Sequence, residues 1–88
     1  MNIDYHRQFT KHFKKRLARD SKLVKRFRDR VELFVLNPQN PILRDHALVG
    51  EKSEHRAFSI TADIRVVYTP IDRDTVRFYD IGSHNQVY

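Results

Sequence analysis

Hydrophobic residues recur along this chain with two different periods. Near the start, Ile3 and Tyr5 alternate with polar neighbours, which is typical of a short strand. Beyond them the apolar residues are spaced as on one face of a helix. They form one apolar stripe before Asp20 and Ser21 and a second stripe after these two residues. The apolar residues of the two stripes are Phe9, Phe13 and Leu17, followed by Leu23, Val24, Phe27, Val31, Phe34 and Val35. The pattern predicts a strand and two amphipathic helices, with Asp20 or Ser21 capping the second helix.

The helical region ends at a segment that contains two prolines, Pro38 and Pro41. Proline has no amide hydrogen to donate, and the residue before a proline avoids helical backbone angles. A loop of about 15 residues follows, which is long for a compact domain and typical of a functional segment. This predicted loop carries Asp45 and His46 and ends near Gly50.

Three further strands are predicted at residues 55–60, 64–69 and 75–81, with turns at 61–63 and 70–74. Connections this short make consecutive strands antiparallel neighbours. The predicted fold is therefore α+β, with the element order β-α-α-β-β-β in one domain that spans residues 1–88. In it, two N-terminal helices pack on one face of a mainly antiparallel four-stranded sheet.

Side chains along the middle strand of these three alternate between the two faces of the sheet. Ile64, Val66 and Tyr68 share one face, which we expect to pack under the helices. Asp63 and Arg65 share the other face. A charged side chain there needs contact with water, so we expect the uncovered face to form a concave polar surface.

The chain contains no cysteine, and its net charge is +6. Thiolate catalysis and disulfide bonds are therefore excluded, and a reducing compartment is indicated. The sequence also has no run of about 18 apolar residues and no basic-then-apolar leader at its start. We expect a cytoplasmic protein that makes no membrane contact.

Positive charge is concentrated between Lys11 and Arg30. This segment holds ten lysines and arginines and two aspartates, a local net charge of +8 that leaves about −2 for the rest of the chain. A concentrated basic face is typical of proteins that bind a polyanion, although a solvated helix surface can also have this composition. We interpret it as an RNA-binding face that includes Lys11, Lys14 and Lys15.

A set of proton carriers and cations could meet at one end of the sheet, namely His46, Asp63, Arg65, His84 and Tyr88. RNA can be cleaved by attack of a ribose 2′-hydroxyl on its own phosphate. This reaction needs a base for the hydroxyl proton, an acid for the departing 5′-oxygen and a cation for the charge on phosphorus. An aromatic ring nearby would stack a base. The chemistry requires neither a metal nor a cofactor, so we expect none.

Each of these residues also has a simpler interpretation. A loop histidine can bond to the backbone, an aspartate can serve a turn, and an arginine can pair with a carboxylate on the next strand. We expect Gly82 to let the last strand turn sharply before His84, because glycine tolerates backbone angles closed to other residues. His6, His12 and His55 are interpreted as surface residues, and the spacing of the histidines does not indicate a metal site.

Four blocks follow one another along the sequence: residues 45–50 (DHALVG), 55–60 (HRAFSI), 63–68 (DIRVVY) and 81–88 (IGSHNQVY). Together they resemble the RelE superfamily of bacterial toxins, and its YafQ branch in particular. The resemblance implies a fold like that of microbial RNases and a ribosome-dependent endoribonuclease that cleaves mRNA. It also implies neutralisation by a cognate antitoxin, with operator DNA bound only through the toxin–antitoxin complex.

Carried over by position, the resemblance implies acid and base roles for His46, Asp63 and His84. It implies that Arg65 stabilises the phosphate and that Tyr88 lies near the scissile nucleotide. His84 is favoured as the general acid, and both His46 and Asp63 remain candidates for the base.

Some YafQ-like relatives carry an aspartate and a histidine where this sequence has Ala57 and Ser59. The division of the acid and base roles among His46, Asp63 and His84 therefore stays open.

Two alternative functions also remain open. One alternative keeps the fold without catalysis, as an RNA- or DNA-binding module that acts with an antitoxin as a co-repressor. The other is a ribonuclease or RNA-binding protein that acts on naked RNA, without the ribosome.

Overall fold

The structure, a computed structural model, describes residues 1–50 and 54–88. Its strands are β1 (Asn2–Tyr5), β2 (His46–Ala47), β3 (Arg56–Ser59), β4 (Ile64–Pro70) and β5 (Thr75–Ser83). Its helices are α1 (Arg7–Arg16), α2 (Ser21–Leu36) and α3 (His84–Val87), and a 3₁₀ turn covers Pro41–Leu43. The predicted α+β class and the predicted order of the two long helices and the later strands are confirmed.

The strands form a five-stranded sheet in the order β1-β5-β4-β3-β2. The predicted antiparallel pairing of β3 with β4 and of β4 with β5 is confirmed, and β1 runs parallel to β5. The prediction of four strands is wrong by one, because β2 pairs with β3 through His46 and Ala47. Two residues cannot show an alternating pattern, so the sequence predicted a loop there.

The main core lies between the helices and one face of the sheet. Phe34 of α2 stacks on Phe58 of β3 with ring centroids 4.4 Å apart, and Phe78 of β5 packs beside both. Val66 and Tyr68 of β4 face the same core, as predicted. Burial of a large apolar side chain contributes about 1.5–3 kcal/mol, so these rings help to hold the helices on the sheet.

Both long helices begin at a side-chain cap. The Asp20 carboxylate accepts two amides of the first turn of α2, at 3.1 and 3.2 Å, so Asp20 and not Ser21 is the cap. Val35, which was predicted to face the core, is 40% exposed because Phe34 occupies the core position at that end. The longest of the described helices, α2, has 16 residues, and none of these helices is long and apolar enough to cross a membrane.

The sheet face away from α1 and α2 carries Arg65, as predicted, but it is not a bare polar surface. Ala57, Val67 and Val87 form a second apolar cluster on this face, with Tyr79 packed against it. The short helix α3 folds back over the cluster and contacts β4 and β5. The expectation of an uncovered polar face is therefore wrong in part, because polar side chains surround an apolar floor that α3 covers.

Candidate active site

The ring of Tyr88 lies at the centre of the candidate site. The His84 ring packs edge-on against it with centroids 4.5 Å apart, and the His46 ring centroid is 6.3 Å away. The guanidinium carbon of Arg65 lies 5.8 Å from the centroid of the Tyr88 ring, within the range of a cation–π interaction. The structure thus brings these four predicted site residues together from β2, β4 and the C-terminal segment. We refer to them as the Tyr88 cluster.

His46 is oriented by the backbone just before β2. Its Nδ1 lies 2.9 Å from the carbonyl oxygen of Arg44. A carbonyl oxygen can only accept, so Nδ1 carries the proton and Nε2 of the neutral ring keeps a lone pair. The Tyr88 hydroxyl donates to this Nε2 across 3.3 Å. His46 is therefore held in the tautomer that can take up a proton inside the Tyr88 cluster.

The residue before His46 anchors β2 to the sheet. The Asp45 carboxylate, whose side chain is 7% exposed, accepts Nε of Arg56 at 2.8 Å and the hydroxyl of Tyr68. The hydrogen bond to Asp45 raises the pKa of the Arg56 guanidinium. Burial, and then the Asp45 carboxylate, raises the pKa of the Tyr68 phenol. Sequence reasoning missed this cluster because Asp45 and Tyr68 are 23 residues apart.

Gly82 leaves room for two side chains of neighbouring elements that come close to its backbone. The expectation of a sharp turn at this position is wrong. Its backbone has no left-handed angle, and β5 continues to Ser83. A Cβ atom at position 82 would lie 2.6 Å from Nη1 of Arg16 and 2.7 Å from Oε1 of Gln86. The same Gln86 oxygen accepts the Ser83 amide at 2.7 Å, where α3 begins, and so helps to place His84.

A buried carboxylate, Asp80, ties α1 to β5. Its Oδ1 lies 2.6 Å from Nδ1 of His12 and accepts the Ile81 amide at 2.8 Å, while Oδ2 accepts Nε2 of Gln8 at 3.1 Å. Arg16 adds an ion pair at 3.5 Å and donates to the Ile81 carbonyl at 2.8 Å. The interpretation of His12 as a surface residue is therefore wrong in part, because its partly buried ring pairs with a carboxylate 68 residues later in the chain.

His6 and His55 both pack on Tyr79 and are partly buried, so their interpretation as surface residues is also wrong in part. Their ring centroids lie 4.7 and 4.8 Å from that of Tyr79, on the sheet face that carries α3. His6 Nδ1 accepts the Gln8 amide and so caps α1, and His55 Nδ1 pairs with the hydroxyl of Thr69. The contacts with Tyr79 join segments distant in sequence, so no local pattern indicated them.

Asp63 lies in the turn between β3 and β4, outside the Tyr88 cluster. Its amide donates to Oγ1 of Thr61 at 3.2 Å, and its carbonyl accepts Nη1 of Arg65 at 3.1 Å. Within residues 1–50 and 54–88 its carboxylate makes no hydrogen bond or ion pair. The turn adjoins the site, because the next residue, Ile64, lies opposite Ser83 in the β4–β5 register.

Lys11, Lys14 and Lys15 project from α1 as exposed side chains. In the part of the chain that the structure describes, none of their ammonium groups forms an ion pair or a hydrogen bond. Lys14 borders an apolar cavity of about 230 Å³ beside Phe13 and Phe27. The structure therefore shows these lysines as a separate basic surface.

Tyr88 stays protonated at neutral pH. Burial raises the pKa of its phenol, and the Arg65 charge lowers that pKa by a smaller amount. In the free protein this protonated Tyr88 hydroxyl therefore lies against Nε2 of His46. Across the described ranges, no group of three or more histidine, aspartate or glutamate side chains is arranged to hold a metal ion.

Comparison with protein families gives a match over the whole chain. The family model that matches residues 1–88 is that of the YafQ toxin, described as a bacterial toxin of a type II toxin–antitoxin system. Among curated proteins, none matches the sequence significantly.

Several solved structures similar to this chain are of bacterial toxins. Escherichia coli YafQ in its complex with DinJ is 22% identical with a TM-score of 0.73, over 99% of this chain and 97% of that chain. A metal-bound toxin from Helicobacter pylori is 25% identical with a TM-score of 0.75, over 100% and 99%. A YoeB/ParE toxin from Agrobacterium tumefaciens is 16% identical with a TM-score of 0.79, over 96% and 99%. The predicted RelE-like fold is confirmed by these similarities.

Proposed function

Because the chain belongs to the YafQ family of toxins of bacterial type II toxin–antitoxin systems, we propose that it is an endoribonuclease that cleaves mRNA on the ribosome. The observation that supports this proposal is the convergence of His46, His84 and Arg65 on the ring of Tyr88. These side chains offer a base, an acid and a cation at one place. Such a set is sufficient for internal attack by the ribose 2′-hydroxyl.

In the proposed reaction, Nε2 of His46 takes the proton of the 2′-hydroxyl as the 2′-oxygen bonds to phosphorus. The bond between phosphorus and the 5′-oxygen breaks, and protonated His84 gives its proton to that oxygen. Arg65 offsets the negative charge that grows on the phosphate. The products are a 2′,3′-cyclic phosphate and a 5′-hydroxyl. Each positioned acid or base is worth about 10²–10⁴ in rate.

The position of the lone pair favours His46 over Asp63 as the base. Nε2 of His46 faces into the Tyr88 cluster, because Nδ1 is engaged with the Arg44 carbonyl. Asp63 is exposed in the adjoining turn. Asp63 remains the second candidate for the base, because the turn that holds its carboxylate adjoins the site.

In the free protein the Tyr88 hydroxyl donates to Nε2 of His46. In the proposed reaction the substrate 2′-hydroxyl must donate to this same nitrogen. RNA binding therefore exchanges one donor for another at this nitrogen. A bond of 3.3 Å is long for an O–H donor, so the exchange costs little free energy. The released Tyr88 ring is then available to stack on a base of the RNA.

We assign the partners of the protein on the same basis. A cognate antitoxin is supported by the similarity to a YafQ protein whose structure is a complex with DinJ. The ribosome and mRNA are the proposed targets, and the exposed Lys11, Lys14 and Lys15 are proposed RNA contacts. Operator DNA is contacted only through the antitoxin complex, and the cytoplasm is the proposed location.

Induction of the protein in bacteria tests the proposal. We expect the wild type to arrest growth and to produce new mRNA 5′ ends in primer extension. His84→Ala and His46→Ala should each lower cleavage by about 10²-fold or more and relieve the arrest. His6→Asn is the matched control, because it removes a histidine outside the cluster but keeps an acceptor at the cap of α1.

Other outcomes would assign a different function. Equal toxicity of the wild type and His84→Ala would remove His84 from the mechanism. Growth arrest without new 5′ ends would indicate the non-catalytic binding module. Cleavage of naked RNA by the purified protein, at the rate seen with ribosomes, would exclude ribosome dependence.

A further inference from the structure

Three arginines line one cavity at the edge of the sheet. The cavity has a volume of about 430 Å³, and its lining includes Arg26 and Arg30 of α2, Arg44 just before β2, and two hydroxyl residues, Ser59 and Thr61. No acidic residue belongs to the described lining. We call this space the arginine cavity.

The positive charges of the arginine cavity lack acidic partners. Arg26 and Arg44 form no ion pair within residues 1–50 and 54–88, and Arg30 donates to the Ile42 carbonyl at 3.3 Å. Like charges gathered at one place repel one another, and an anion between them removes the repulsion. Guanidinium groups present paired donors that match the oxygens of a phosphate.

Arg44 is the C-cap of the 3₁₀ turn, where its amide donates to the Pro41 carbonyl and its backbone adopts a left-handed conformation. Its φ of 51° and ψ of 39° lie in the left-handed region, where a side chain with a Cβ atom is unfavourable. Among the described residues, Arg44 is the one position other than glycine with a positive φ. Strain of this kind is typical of positions that serve a ligand, because a glycine would relieve it but would lack the guanidinium.

The arginine cavity adjoins the candidate active site. The carbonyl of Arg44 holds His46 Nδ1 at 2.9 Å. Ser59 lies directly opposite Arg65 in the β3–β4 register, and adjacent strands are about 4.8 Å apart. An RNA chain bound at the Tyr88 cluster would therefore lie close to the cavity.

We propose that the arginine cavity binds a phosphate of an RNA backbone other than the phosphate that is cleaved. This inference deepens the proposed function and rests on it. The occupant is a phosphodiester, supplied either by the mRNA next to the scissile bond or by ribosomal RNA. Its binding would fix the position of the RNA relative to His46, whose orientation depends on the same residue, Arg44.

Binding measurements without cleavage test the proposal. The ligands are a single-stranded RNA oligonucleotide with 2′-O-methyl groups, which cannot react, and ribosomes that carry no mRNA. Arg26→Gln and Arg44→Gln should each bind about tenfold more weakly than the wild type to at least one of these ligands. The slope of log affinity against log salt should become shallower by about 0.7 for each variant. Arg28→Gln is the matched control, because it lies on the opposite side of α2 from Arg26 and is not part of the lining.

The two ligands separate the sources of the phosphate. Weaker binding of the oligonucleotide would assign the site to mRNA, and weaker binding of the ribosome alone would assign it to ribosomal RNA. Equal losses for Arg28→Gln and for both cavity variants would overturn the proposal, since only overall charge would then matter. The assay does not depend on cleavage. Growth arrest without new mRNA 5′ ends would remove the nuclease proposal and leave this binding result unchanged.

A second variant separates binding from stability. Arg44→Gly removes the guanidinium and the unfavourable left-handed side chain together, so we expect its melting temperature to rise by a few degrees while its affinity falls. If Arg44 were only structural, stability and affinity would change in the same direction. A lower melting temperature for Arg44→Gly, together with unchanged affinity, would overturn the proposal.

Discussion

At the scale of single residues, the candidate site depends on side chains that never touch the Tyr88 cluster. Asp45 holds the strand of His46 through Arg56 and Tyr68, and it is nearly buried. A buried carboxylate is stable only when charged or polar donors surround it. Here the donors come from β3 and β4, so this ion pair and hydrogen bond fix β2 as the fifth strand of the sheet.

Tyr68→Phe tests the contribution of this cluster to stability. Loss of the hydroxyl removes a hydrogen bond to a carboxylate, and we expect the free energy of unfolding to fall by about 2 kcal/mol at neutral pH. Chemical denaturation of the wild type and the variant measures the difference. Tyr5→Phe is the control, because Tyr5 is half exposed and its hydroxyl makes no hydrogen bond within the described ranges.

The same variant gives a prediction for the effect of pH. The pKa of the Tyr68 phenol is raised above its ordinary value of 10.0, so the folded state binds this proton more tightly than the unfolded state. The resulting stabilisation is fully present below pH 10.0 and is lost as the pH rises beyond it. The stability difference between the wild type and Tyr68→Phe should therefore shrink above that pH. A difference that stays constant or grows at alkaline pH would contradict the assigned direction of the shift.

At the scale of elements, α1, β5 and α3 meet around Gly82. Arg16 of α1 reaches across the glycine to the Ile81 carbonyl, and Gln86 of α3 folds back to the Ser83 amide. Both side chains would lie within 3 Å of a Cβ atom at position 82. Because residue 82 has no side chain, Arg16 at the end of α1 and Gln86 of α3 can both lie against β5 at this point.

Gly82→Ala tests this junction. The added methyl group collides with flexible side chains and not with backbone, so we expect a loss of about 1–3 kcal/mol in stability and a displaced α3. Because α3 carries His84, mRNA cleavage should also fall. Denaturation and primer extension measure the two effects.

The double variant Arg16→Ala with Gly82→Ala provides the control for this prediction. Removing the Arg16 side chain creates room for the methyl group, so the two changes should be less destabilising together than the sum of the single changes. If the effects simply add, the collision with Arg16 is not the cause of the destabilisation.

At the scale of the whole molecule, positive charge is unevenly distributed. Most of the lysines and arginines between residues 11 and 30 are exposed on α1 and α2, while Arg16 is drawn into the contact with Asp80. A surface of this kind attracts an acidic partner over distances comparable to the Debye length, about 10 Å at 0.1 M salt. The proposed antitoxin should therefore bring an acidic or amphipathic segment to this protein.

Salt dependence of antitoxin binding tests this expectation. The affinity of the purified complex should fall by about tenfold or more as salt rises from roughly 0.1 to 0.5 M. A variant in which Lys11, Lys14 and Lys15 are all replaced by glutamine should bind more weakly at low salt and show a smaller dependence on salt. Calorimetric titration measures both. An affinity that does not change with salt would show that the contact is mainly apolar.

Periodicity was sufficient for much of the fold because it is a local property. The spacing of Phe9, Phe13 and Leu17 indicates a helix whatever surrounds it, and alternation along β4 placed Arg65 and Val66 on opposite faces. Segments without a period were the ones predicted wrongly. The two residues of β2 were read as loop, and the folding of α3 over the sheet was not foreseen.

Of the predicted site residues, His46, Arg65, His84 and Tyr88 converge in the structure, whereas Asp63 lies outside their cluster. Their catalytic roles stay predictions. The supporting residues were not predictable, since each acts through a partner far along the chain. His12 was taken as a surface residue because nothing near it in sequence indicates Asp80.

The sequence by itself determined the two long helices, the strands β1, β3, β4 and β5, the core-facing side of β4, and where positive charge accumulates, because these depend on neighbours within a few positions. The tertiary structure alone decided the tautomer of His46, the contact of its ring nitrogen with Tyr88, and the gathering of three arginines around one cavity. Each of these depends on where distant segments meet, and a carbonyl oxygen, a hydroxyl or a like charge acts on a side chain only when the folded chain holds it within a few ångströms.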